Sequence, residues 1–277
     1  VQNAGMDEVF ARDMYTVIEP LSVVTYFSPE SRAAYKEAGL RGYWMGYFAG
    51  RAAPLGAAGP GTVEALFHSF NARLVYRALP DAWSFASPQD VLTARWAGVA
   101  AALRRLVPDI EKIAEAVTAP LETVVAAADP TGRALFAANR DLPAPADPVA
   151  RLWQATSALR EHRGDGHVAL LTADSLNGVE ANRLAMAVRE GTEQWYRESR
   201  GHSEEDWQQA TETLRARGFL TEEGTATDTA RTFHASLEHR TDTLAAPPYT
   251  ALTNPHEIRE ILRPAAQAVT ASGELPF

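Results

Sequence analysis

Residues 214–231 read LRARGFLTEEGTATDTAR, and this stretch decides the fold class. Upstream of Leu214, apolar Trp207 and Ala210 fall on a helical period, with Ser203 as the cap and Asp206 at the third position. The helix ends at Arg217-Gly218-Phe219, where glycine supplies a stop. A short acidic turn holds Glu222, Glu223 and Gly224. Thr227 then leads into a helix from Asp228 to Leu244, closed by Pro247 and Pro248. Two helical patterns joined by a tight acidic turn predict a compact, mainly helical unit in this half of the chain.

Further upstream, Pro148 to about Arg163 has helical spacing through Val149, Leu152, Trp153 and Leu159. Gly164-Asp165-Gly166 predicts a break, followed by helices over His167–Leu176 and Val179–Val188. The run Pro143-Ala-Pro145-Ala-Asp147-Pro148 has linker composition. We therefore expect a helical domain over 1–147, a second domain over 148–245 and a helical tail over 246–277.

The first 147 residues predict further helices. Glu8 to about Thr25 is amphipathic, and Ser28-Pro29-Glu30 and Ser87-Pro88-Gln89-Asp90 open two more. One helix should carry Phe67, His68, Phe70, Asn71 and Leu74, and two should cover 109–119 and 121–128. Gly42, Gly46 and Gly50 recur every four residues and form one bare stripe on a helix. Each costs about 1 kcal/mol relative to Ala. Such a stripe implies a close neighbour, either another helix or a ligand.

The 214–231 stretch resembles the MarR-type winged helix. That resemblance implies a reader helix ending at Leu214–Leu220, a small β wing with Gly224 at its tip, and Thr227 opening the next helix. The chain as a whole is similar to an actinobacterial helix-turn-helix family. The marks are GLRGYWMGYFAGRAAPLG at 39–56, RALPDAW at 77–83 and LREHRGDGH at 159–167. The fold expected is mainly α, an N-terminal helical domain packed on a MarR-like winged helix. The family resemblance implies no particular activity.

Net charge is −9, and only Lys36 and Lys112 among 26 basic residues are lysines. From Ser203 to Gly218, Glu204, Glu205, Asp206 and Glu212 face only Arg215 and Arg217. Residues 149–245 carry 16 acids against 11 arginines. Phosphate repulsion makes DNA an unfavourable partner for such a reader. The absence of cysteine excludes disulfides, thiolate nucleophiles and Cys-ligated metal. No apolar run reaches membrane-spanning length, and residues 1–8 lack a signal-peptide pattern, so a cytoplasmic location is expected. No phosphate loop, dinucleotide fingerprint or nucleophile elbow occurs, and no cofactor is expected.

Two clusters could carry chemistry. The first is Arg160, Glu161, His162, Arg163, Asp165 and His167, with no recognisable metal spacing. The second is Tyr43, Trp44, Tyr47, Arg51, His68 and Asn71, aromatic with a few polar groups, as small-molecule sites often are. Catalytic candidates are His68, His167 and Asp165. Ligand-binding candidates are Tyr43, Tyr47, Arg51, Asn71, Arg160 and His162, and no metal is assigned. The leading expectation is a small-molecule-binding protein, an enzyme of specialised metabolism, keeping the winged helix as scaffold. A ligand-responsive regulator of MarR type and a non-catalytic partner subunit are the alternatives, the regulator as a homodimer.

Overall fold

The serine and threonine caps foreseen in the sequence set where several of the helices begin. The computed structural model describes residues 4–276, with side chains from Glu8 onward, so residues 1–3 and 277 lie outside it. Helix α1 (Ala4–Phe27) is followed by α2 (Pro29–Glu37), which Ser28 caps by accepting the Ser31 N–H at 3.3 Å. Next come α3 (Gly42–Ala52), α4 (Pro60–Leu66), α5 (Ala72–Ala78) and α6 (Ala82–Phe85). Helix α7 (Pro88–Leu106) opens with a reciprocal Ser87–Asp90 capping box. Helices α8 (Ile110–Ala127) and α9 (Ala134–Arg140) lead to α10 (Pro148–Ala173), where Asp147 accepts from the amides of Val149 and Ala150. The remaining helices are α11 (Gly178–Arg189), α12 (Glu193–Ser199), α13 (Glu204–Ala216), α14 (Asp228–Ala245) and α15 (Pro255–Ala271).

The chain is mainly α, and no strand occurs among the described residues. Where a two-stranded wing was expected, one antiparallel bridge joins Leu220 and Ala226. Three other expectations change. Helix α10 runs unbroken through Gly164 and Gly166, packed along α14, where a Cβ added at Gly166 would meet Leu244 at 3.6 Å. Helix α8 is likewise continuous, with Pro120 inside it. The single helix expected around Phe67–Val75 is instead two, α4 and α5, with a bend between them. Asn71 makes that bend by capping α5, accepting the Arg73 N–H at 3.0 Å.

Three apolar clusters hold the helices together. The largest joins α1, α7, α8, the first half of α10 and α15 around fully buried Trp153. Its indole N–H donates to the Ser22 carbonyl at 3.1 Å. The segment after the proline-rich linker therefore packs with the helices before it, and the C-terminal helix docks on α1 and α8. The second cluster joins α2 to α6 with the start of α7, around Phe48 and Phe67. The third joins the end of α10 to α11, α13 and α14 through Leu171, Leu184, Leu214 and Leu237. Each fully buried large aliphatic side chain in these clusters contributes about 2 kcal/mol. No described helix is long and apolar enough to cross a membrane.

The glycine stripe has a local cause. The Tyr35 ring of α2 lies along Gly46 and Gly50, and a Cβ added at Gly50 would sit 2.3 Å from the Tyr35 hydroxyl. Gly42 differs: it starts α3 with φ +75° and has open space beside it.

Candidate functional site

Helix α3 places Tyr43 and Tyr47 one turn apart, with ring centroids 6.3 Å from each other. Tyr47 also meets Tyr26 of α1 at 4.7 Å and Phe70 at 5.2 Å, and Trp44 meets Phe70 at 6.0 Å. Tyr26, Tyr43, Trp44 and Tyr47 wall one side of a cavity of about 720 Å³. The second half of α1 and helix α2 close other sides, and the end of α12 faces them with Trp195, Ser199 and Arg200. Burial pushes the Tyr43 hydroxyl up to about 12, so it stays a neutral donor near neutrality.

Behind this wall lies a chain of charges. Arg51 donates two hydrogen bonds to Glu161, at 3.0 and 2.8 Å. Arg160 donates to Glu161 at 3.1 Å and to both Glu19 oxygens at 2.9 and 3.3 Å. Burial opposes Glu161 ionisation, but Arg51 and Arg160 outweigh it and hold its carboxyl down to about 2. Fully buried Arg95 donates to the Gly50 carbonyl, Asn139 and Ser157, stacked over Trp153. Thr25 Oγ1 and the Tyr35 hydroxyl are buried without a hydrogen-bond partner, and both residues line the cavity.

Of the residues singled out in the sequence, Tyr43, Trp44, Tyr47 and Arg160 line the cavity, and Arg51 connects to Arg160 through Glu161. The others lie elsewhere. His162 and Asp165 face α9: the His162 ring meets Phe136 edge-on at 4.9 Å, and Asp165 accepts the Phe136 N–H at 2.9 Å. Asp165 thus serves the start of α9. Burial raises its carboxyl to about 6 despite that hydrogen bond. His167 faces α14, with Nδ1 3.0 Å from Thr241 Oγ1. Thr241 already donates to the Leu237 carbonyl at 2.8 Å, so His167 Nδ1 carries the proton and donates. Burial holds that imidazole down to about 4, which keeps it neutral.

His68 and Asn71 lie in the bend between α4 and α5. His68 Nε2 is 3.1 Å from the Leu176 carbonyl, and Asn71 donates to Asp206 at 3.2 Å. Both join the first half of the chain to α11–α13, and they do not share a helix face. No group of three or more metal-ligating side chains converges among the described residues.

Sequence reasoning passed over Arg32, Lys36, Trp195 and Arg200, all of which line the cavity. The signal available was Trp195, an exposed aromatic in an otherwise polar helix.

Helices α11, α12 and α13 and the Leu220–Ala226 bridge form the reader-like end. The outward residues of α13 are Glu204, Glu205, Gln208, Gln209, Glu212 and Ala216, with no cation among them. Its arginines hold backbone instead. Arg215 donates to the Thr221 and Glu222 carbonyls, and Arg217 to those of Asp174 and Ser175. Arg183 of α11 donates to the Gly224 carbonyl at 2.7 Å.

No curated protein and no solved structure shows significant similarity to this chain. One family model matches residues 11–276, nearly the whole length, and the chain belongs to the family it describes, a helix-turn-helix family.

Proposed function

We propose that the protein binds a small molecule in the cavity between α1, α2, α3 and α12. In this reading α11–α13 and the Leu220–Ala226 turn form a winged helix of MarR type that serves as scaffold. The observation that carries the proposal is the cavity itself: about 720 Å³, walled by Tyr26, Tyr43, Trp44 and Tyr47, with a few polar groups among them. Small-molecule sites have this size and composition. The acidic outward face of α13 adds support, because a base-reading helix offers cations or amides to DNA. Asp206, at the end of α13 that would enter a groove, accepts a hydrogen bond from Asn71. His68, Asp165 and His167 do not line the cavity, so this reading assigns binding to it and no catalytic step.

A ligand-responsive DNA-binding regulator is the second reading. It is favoured by the family's helix-turn-helix description and by α12, which borders the cavity and precedes the reader-like helix. Native mass spectrometry of the purified protein, under gentle and then denaturing conditions, separates the two. A retained small molecule released on denaturation supports the binding reading. A ligand-free protein that binds duplex DNA, with affinity falling steeply with salt, supports the regulator.

A further inference from the structure

We infer that the cavity takes an organic anion with a flat aromatic body, its acidic group held by Arg200 and its entry guided by Arg32 and Lys36. This inference rests on the cavity being the ligand site. The chain is acidic overall, with a net charge of −9, yet the cavity lining reverses that sign. Four cations line it (Arg32, Lys36, Arg160 and Arg200) against two carboxylates, Glu19 and Glu274. Both carboxylates are already paired. Glu19 takes Arg160 at 2.9 Å, and Glu274 takes Arg105 at 2.8 Å.

The remaining three cations have no carboxylate within ion-pair distance among the described residues. Arg32 donates to the Phe27 carbonyl at 2.6 Å and lies over the Tyr43 ring. Lys36 is exposed one turn along α2 from Arg32. Arg200 is only partly exposed, held over the rings of Phe70 and Tyr196 at 4.9 and 4.8 Å, and its Nε is buried without a partner. A guanidinium fixed in this way, lacking a counter-charge and facing a cavity, is a preformed receptor for a carboxylate or similar oxyanion. Tyr43 and Trp195, 37% and 43% exposed, both line the cavity and offer apolar ring surface to the ligand body.

The test is a fluorescence titration of the full chain with two dyes of matched aromatic shape. One is anionic, 1-anilinonaphthalene-8-sulfonate; the other is neutral, N-phenyl-1-naphthylamine. The anionic dye is expected to bind more tightly and to weaken with salt. Arg200→Gln should weaken it about tenfold, the loss of one charged hydrogen bond, and leave the neutral dye unchanged. Arg200→Lys should restore most of the affinity. The exposed pair Arg32→Gln/Lys36→Gln should weaken the anionic dye several-fold without disturbing the fold, which keeps the test decisive if Arg200→Gln does not fold. Arg263→Gln, away from the cavity, should change nothing. If the neutral dye binds as tightly, or the anionic dye ignores all these changes, the charge assignment is wrong while the cavity reading stands. If neither dye binds the wild-type protein, the proposed function falls with it.

Discussion

Arg51 of α3 and Glu161 of α10 form a two-pronged ion pair at 3.0 and 2.8 Å, with side chains 13% and 2% exposed. The pair ties the helix that walls the cavity to α10, the longest helix among the described residues. It lies 110 residues apart in sequence, so nothing local enforces it. Removing one member leaves a buried charge without its partner. Glu161→Gln is worse placed than Arg51→Met, because it leaves Arg51 and Arg160 facing each other. Each single change should cost about 3–5 kcal/mol in urea denaturation. The double change Arg51→Met/Glu161→Gln should cost clearly less than the sum. Additive losses would show that the pair contributes little.

The two glycine-rich helices should respond oppositely to alanine. Gly50→Ala drives a methyl group into the buried Tyr35 ring, 2.3 Å from its hydroxyl, and should destabilise by about 1–3 kcal/mol. Gly164 lies mid-helix in α10, and a Cβ added there would meet only the end of Glu161, at 3.6 Å. Gly164→Ala should be neutral or stabilising by up to about 1 kcal/mol. Equal urea midpoints for the two variants would contradict the packing described for Tyr35.

Acid should weaken the fold well before the ion-paired carboxylates Glu161 and Glu238 titrate. Burial holds His162 and His167 down to about 4 and also lowers His68, His202 and His234. Unfolded, each returns to about 6.5. The unfolded chain therefore binds more protons between those values, and the stability these groups provide above about 6.5 is lost as pH falls toward 4. Asp165 acts in the opposite sense. Its raised pKa of about 6 favours the fold at low pH, and that advantage is lost as pH rises through about 6. Five imidazoles outweigh one carboxyl, so the urea midpoint should drop between pH 7.5 and pH 5. His162→Gln should flatten the slope by up to about 1.4 kcal/mol per pH unit. A flat wild-type profile would mean these rings are hydrated.

Much of the helical architecture was readable because its signals are local. Ser28, Ser87, Ser203 and Thr227 all cap helices, and the apolar spacing of Trp207, Ala210 and Leu214 marks a buried face. What failed depended on distant partners. Gly164 and Gly166 read as a break, but α14 packs against that stretch and keeps the helix whole. Asp165, expected at that break and as a catalytic candidate, instead accepts from the Phe136 amide of α9, 29 residues earlier. The cavity was half visible: Tyr43, Tyr47 and Arg160 were identified, whereas Arg32 and Arg200 join them only through tertiary folding. No spacing rule links α2 to α12.

Ligand binding in the cavity is tested most directly by hydrogen–deuterium exchange of the full chain, with and without saturating 1-anilinonaphthalene-8-sulfonate. Exchange should slow in residues 32–47 and 193–200, which border the cavity, with α13 unchanged. Protection confined to α13 and the Leu220–Ala226 turn, or no protection of α2, α3 and α12, would contradict it.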